Sequence, residues 1–201
     1  MMKPLLPLAG LVATIALGGC ATPPGPVEVT RFVAVDQTSR LGQGTIFIET
    51  MEGTDGDSLE LAPYKAAVAA ELTALGYVES DRASAGQIAQ VGVGKYFREA
   101  GDRRGPVSVG VGGGTGGYRS GVGVGLGINL GGDKDRLGTE LSVRITDAAS
   151  GTSLWEGRAD FSPPENSPLA RGTANAQTVA SALFREFPGN NGETIEVKVS
   201  E

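Results

Sequence analysis

Few side chains in this chain have the chemistry of a reactive site, and Cys20 is the one whose position is informative. It is the only cysteine in 201 residues, it directly follows Leu17-Gly18-Gly19, and no second thiol exists to oxidise it into an internal disulfide. Histidine is absent altogether, which removes the commonest general base and the commonest neutral metal ligand. Most zinc, copper and haem arrangements and both common nucleophile–base pairs thereby lose a member. No cofactor, metal or catalytic residue is assigned, and the chain is not expected to be an enzyme. Carboxylates remain: Glu49 with Glu52, and Asp160 with Glu165, would work as general acid and base if folding made them converge.

Three further motifs resemble sites in outline. Gly112-Gly113-Gly114-Thr115-Gly116-Gly117 satisfies G-x-G-x-x-G, but the residues after it, Tyr118-Arg119-Ser120-Gly121-Val122-Gly123, do not open the helix whose amides a pyrophosphate needs. Asp133-Lys134-Asp135-Arg136-Leu137-Gly138 begins like a calcium loop, yet Leu137 falls on a ligand position and Arg144 on that of the closing acid, so it reads as a solvated turn. Asp55 and Asp57 precede a helical pattern and could bind calcium weakly, but helix capping explains them more cheaply. Arg103, Arg104 and Arg119 flank or interrupt a glycine-rich stretch; contact with lipid head groups is one reading of them, and a solvated rim is the simpler one.

Composition narrows the function classes. With 17 basic and 23 acidic residues the net charge is -6, which argues against nucleic acid and against a broad electrostatic grip on anionic lipid. Lys3 followed by Leu5, Leu6, Leu8, Leu11, Val12 and Ile15 is an apolar run too short to span a bilayer and flanked as a signal peptide is. Residues 1–19 are therefore read as a secretory signal, 20–26 as a proline-rich tether, and 27–201 as a single domain with a glycine-rich insert at 105–132.

The elements follow from periodicity. Residues 27–35 and 45–49 are rich in β-branched and aromatic residues and read as two paired strands. Leu61, Tyr64, Val68, Leu72 and Leu75 recur on one face of a helix that Gly76 stops. Gln87 to Phe97 reads as a strand. Leu141, Val143 and Ile145 alternate with polar residues, then Asp147 to Gly151 turns the chain into Leu154–Phe161, with Trp155, Ala159 and Phe161 on one face of that strand. Leu169, Ala176, Val179, Ala180, Leu183, Phe184 and Phe187 mark a second helix ended by Pro188-Gly189, and Thr194 to Val199 reads as an edge strand. The fold class is α+β: a mostly antiparallel sheet with two helices packed on one face. In the insert, Val107, Val109 and Val111 precede Val122, Val124, Leu126, Ile128 and Leu130, which reads either as an antiparallel hairpin with one aliphatic face and one of nearly bare backbone or as a flexible glycine loop.

Leu17-Gly18-Gly19-Cys20 resembles the lipobox of bacterial lipoproteins, with Gly18 where Ala or Ser is commonest. That resemblance implies cleavage before Cys20 and acylation of its thiol and new amino group. Ala21 after the cysteine, instead of aspartate, implies the outer membrane, facing the periplasm. Further along, Leu72-Thr73-Ala74-Leu75-Gly76-Tyr77, the glycine-rich stretch, Ile145 to Gly151 and Leu154-Trp155-Glu156-Gly157-Arg158-Ala159 together resemble the bacterial lipoproteins of domain-of-unknown-function family 4136. The turn-and-strand part also resembles hairpins of other envelope lipoproteins, including components of curli secretion. The family resemblance implies an envelope location and α+β architecture and carries over no catalytic residue.

The expectation is a lipid-anchored envelope protein acting as a binding or structural module. Its partners would be the membrane, through acylated Cys20, and a protein or a second copy, through the glycine-rich segment. Two rivals stand beside it. One is an oligomeric assembly or secretion component that uses the glycine-rich hairpin. The other is a small carboxylate-based hydrolase, which requires a concave pocket holding two of the named acids with displaced ionisation.

Overall fold

A computed structural model describes residues 23–56, 58–98 and 135–199. Seven strands and two α-helices follow in the order β1 (Val27–Val33), β2 (Thr45–Thr50), α1 (Leu61–Ala74), β3 (Val78–Glu79), β4 (Gln87–Arg98), β5 (Arg136–Asp147), β6 (Ser153–Phe161), α2 (Gly172–Phe184) and β7 (Glu193–Val197). Cys20, the signal and the insert at 105–132 lie outside the described residues, as do Asp57 and the three arginines of the rim. Among the described residues no helix is long and apolar enough to cross a membrane.

All seven strands form one mixed sheet in the order β3-β2-β4-β5-β6-β1-β7. Strand β2 runs parallel to both β3 and β4, as the intervening helix α1 requires, because parallel neighbours need a crossover connection. The β4–β5, β5–β6, β6–β1 and β1–β7 pairs are antiparallel. The expected β1–β2 pairing is corrected here. Strand β1 crosses to the far side and inserts between β6 and β7, where Val27 and Val29 are fully buried and Val33 lies opposite Trp155.

Helix α1 buries Leu61, Tyr64, Val68 and Leu72. Gly76 stops it with φ +108, and a Cβ there would come 2.7 Å from the carbonyl oxygen of Gly42, so only glycine fits the close approach. Ser58 supplies a side-chain acceptor ahead of the helix, taking the Glu60 amide at 3.2 Å. Arg136 to Gly138, read from sequence as part of a turn, is already β5. Packing also starts earlier than expected, since Pro24 within the tether is buried.

Helix α2 ends at Phe184, before Phe187. Glu186 takes a positive φ of 57, and the buried guanidinium of Arg31 binds the carbonyls the helix leaves open: Leu183 through Nε at 3.2 Å and Arg185 through Nη2 at 2.5 Å. A cation at a helix C-terminus also complements the dipole. Both helices pack on the sheet face formed by Val27, Val29, Ala89, Val91, Leu141, Val143, Ile145, Trp155, Ala159 and Phe161, which are all buried.

Candidate functional site

The opposite face of the sheet carries the alternate residues, and register stacks them into rows. Glu49, Gln90, Arg144, Glu156 and Phe32 are successive neighbours across β2, β4, β5, β6 and β1. Gln90 donates to Glu49 Oε1 at 3.1 Å, Arg82 pairs with the other Glu49 oxygen, and Arg144 Nε donates to Glu156 Oε1 at 3.0 Å. Ser142, Arg158, Thr30 and Thr194 form the adjacent row, and the two threonine hydroxyls lie 3.0 Å apart. The next row is acidic: Glu140, Asp160, Glu28 and Glu196. Arg158 meets Glu140 at 3.4 Å and Tyr96 donates to Asp160 at 2.7 Å.

Between the first two rows lies a cleft of about 320 Å³, with Phe32 and Met51 as apolar walls, Thr30 and Ser142 as hydroxyl groups, and Arg144 and Arg158 at its margin. That is the lower end of the size range of small-molecule sites. The Arg144 and Arg158 side chains are 46% and 64% exposed, and ion pairs so exposed stabilise by about 0–1 kcal/mol. Each meets its carboxylate through Nε, which leaves each half-exposed guanidinium further N–H donors for acceptor oxygens.

A second polar cluster lies on the helix-covered side. Lys95 Nζ donates to the Tyr64 hydroxyl at 2.7 Å and to Thr139 at 2.9 Å, and Tyr64 donates to Asn175 Oδ1 at 2.6 Å. Tyr64 is 1% exposed and its proton and lone pair are both engaged, so it ties α1 to α2 and β4 and is closed to a substrate.

Three of the four acids that could have formed acid–base pairs are engaged by other groups. Glu49 engages Arg82 and Gln90, Asp160 accepts from Tyr96, and Glu165 pairs with Arg171. Among the described residues the two acids with displaced ionisation are others, and both move down. Asp147 falls from 3.8 to about 2, chiefly through hydrogen bonds from the Ser150 hydroxyl and amide, with Arg40 adding to them. Glu193 is lowered by Asn190 first and Arg31 after it. A general acid needs the opposite displacement. Burial raises the Tyr77 hydroxyl, which donates to Gln87 in a bridge that Gln87 continues to the Arg40 carbonyl at 2.8 Å. Among the described residues no group of three or more acids, histidines or cysteines is disposed to hold a metal.

Arg31, Lys95 and the Glu49-to-Phe32 row were not visible as a set in the sequence. Their one signal was polar alternation, as in Ser142, Arg144 and Thr146, and register alone makes rows of such alternation.

Residues 37–189 match a family described as a domain of unknown function, DUF4136. The chain belongs to that family. No curated protein matches it. Among solved structures, this DUF4136 chain resembles the PelC dodecamer from Paraburkholderia phytofirmans, at 11% identity over 77% of this chain and 92% of that one, with a TM-score of 0.41. It also resembles a PDZ domain protein from Parabacteroides distasonis, at 16% identity over 87% of this chain and 39% of that one, with a TM-score of 0.46.

Proposed function

We propose that this DUF4136 protein is a lipid-anchored, periplasm-facing envelope protein, tethered through acylated Cys20, that works by binding and not by catalysis. The observation that carries the binding half is the cleft on the helix-free sheet face. It sets Phe32 and Met51 beside the half-exposed guanidinium groups of Arg144 and Arg158. Such a surface takes a small amphipathic molecule whose acceptor oxygens meet the guanidinium groups while its apolar body lies against Phe32. The anchoring half rests on Leu17-Gly18-Gly19-Cys20 behind an apolar run. Acylation by two or more chains would hold the domain stably at a bilayer.

Two measurements test these halves separately. Intact mass of the membrane-extracted protein is expected to show acyl chains that a Cys20→Ala variant lacks, and an unmodified wild-type mass overturns the anchor. Benzoate, phenyl phosphate and neutral benzyl alcohol, titrated while methyl resonances are followed, are expected to shift Met51, the two anions most. Arg158→Gln with Arg144→Gln should abolish the preference for the anions, and perturbations unchanged in that double variant overturn the cleft.

A further inference from the structure

The outer edge of the sheet at β7 has no strand beside it among the described residues. It is short and carries Glu193, Glu196 and Lys198, yet its apolar residues keep facing the core. Ile195 and Val199 pack against the core from part-buried positions, Val197 is 7% exposed, and the residues between them, Glu196 and Lys198, are exposed. The alternation therefore runs past β7 to Val199. On the helix side a crevice of about 400 Å³ follows this edge, with Ala182, Phe184, Val197 and Val199 as its apolar lining and Glu71, Thr178, Ser181, Arg185 and Lys198 as its polar lining. An added strand would set its apolar side chains against Phe184, Val197 and Val199 at that crevice while its backbone extended the ladder.

We propose that the added strand is β7 of a second copy, joined antiparallel about a two-fold axis at Val197. In this register Glu196 of each chain lies opposite Lys198 of the other, Val197 opposite Val197, and Ile195 opposite Val199. Both charges meet their opposites on the open face, and all the apolar residues meet on the helix face. Sliding the pairing by two residues in one direction puts Glu196 opposite itself, and in the other puts Lys198 opposite itself. Like charges at the axis thus select one register. Charge complementarity reaches further in. Glu196 already neighbours Glu28, which neighbours Asp160, and the lysine of the second copy lands at the end of that acidic row. Neither Glu196 nor Lys198 has an ion-pair partner among the described residues.

The axis also fixes where the two N-termini leave. Val27 is the β1 partner of Val197, so the two copies of Val27 lie three strand spacings apart, roughly 14 Å. On the anchoring proposed above, which this last step rests on, the two tethers start from neighbouring points of the dimer, on β1 strands that run antiparallel to each other, and two acylated termini hold one assembly.

The test is the solution mass of the full-length chain, by sedimentation equilibrium, for wild type extracted in detergent and for Cys20→Ala. A dimer is expected in both. E196K and K198E should each weaken it about tenfold or more, since each makes two like-charge contacts at the axis, and E196K combined with K198E should return it to within about threefold of wild type. A monomeric Cys20→Ala chain, single reversals without effect, or a double reversal that fails to rescue would each overturn the pairing. A dimer confined to the acylated wild type would also overturn it while leaving the anchor standing. An unacylated chain that still dimerises and responds to the reversals would sustain the pairing and remove the anchor.

Discussion

The ring of Tyr96 lies across the bare Cα of Gly138, its partner in the β4–β5 ladder, and so carries its hydroxyl over β5 to Asp160 and Ser162, each at 2.7 Å. A Cβ at position 138 would occupy the space of that ring. Gly138→Ala is therefore expected to displace Tyr96, release both hydrogen bonds and destabilise the fold by about 1–3 kcal/mol. Urea unfolding measures it, and a Tyr96→Ala background should remove most of the cost. An equal cost in both backgrounds would show that the clash is not with Tyr96.

Arg31 is fully buried within β1 and holds the end of α2 by its carbonyls. Replacing it with methionine keeps the bulk but takes the guanidinium donors from the Leu183 and Arg185 carbonyls and the cation from Glu193, to which Asn190 still donates. A loss of about 3–5 kcal/mol follows from stripping one member of a buried charged network. The change should also speed amide exchange at the last turn of α2 and at Phe187, whose amide bonds the Phe184 carbonyl at 3.1 Å. Normal protection there would mean that Arg31 does not terminate the helix.

Ionisation of Asp147 favours the fold, with a definite sign. Its folded value, about 2, lies below its ordinary 3.8 because Ser150 and Arg40 stabilise the carboxylate. The contribution is full above the unfolded value and disappears as pH falls through the folded one. Glu193 is displaced in the same direction. Asp147→Asn should accordingly be less stable than wild type at neutral pH, with the gap closing as pH drops from 3.8 toward about 2. A gap that stays constant through that window would assign the loss to the turn geometry instead of the charge.

Much of this fold is legible locally. Tyr64, Val68 and Leu72 recur at helical spacing, Gly76 sits where the helix must stop, and Leu141, Val143 and Ile145 alternate toward a turn at Asp147. These are period and turn effects, set by neighbours a few residues away. Strand order is different in kind. Val27 to Val33 is equally a strand beside β2 or beside β6 by its own pattern, and the choice is made by Val33 meeting Trp155 and Arg31 meeting the end of α2. The cleft was illegible for the same reason. Arg144 and Arg158 are ordinary outward residues until register sets Phe32, Thr30 and Ser142 beside them.

Trp155, the sole tryptophan, is a clean reporter of the part of the core that locks α2 to the sheet. Its ring stacks on Phe184 with centroids 5.4 Å apart, lies 5.2 Å from Phe187, and its Nε1 donates to the Pro188 carbonyl at 2.9 Å. Gly157, two residues along the same face, leaves the room for this ring, since a Cβ there would run into Trp155 and come 2.8 Å from Leu183. Folded protein should emit at the short wavelengths of a dry indole and shift to longer ones on unfolding. Gly157→Ala should move the folded emission part of that way and cost about 1–3 kcal/mol by overpacking. Phe184→Ala should cost more, about 3–5 kcal/mol, because it opens a cavity beneath the indole. If Gly157→Ala left emission and stability unchanged, the indole would have room to spare, and the claim that this glycine sets its position would fail.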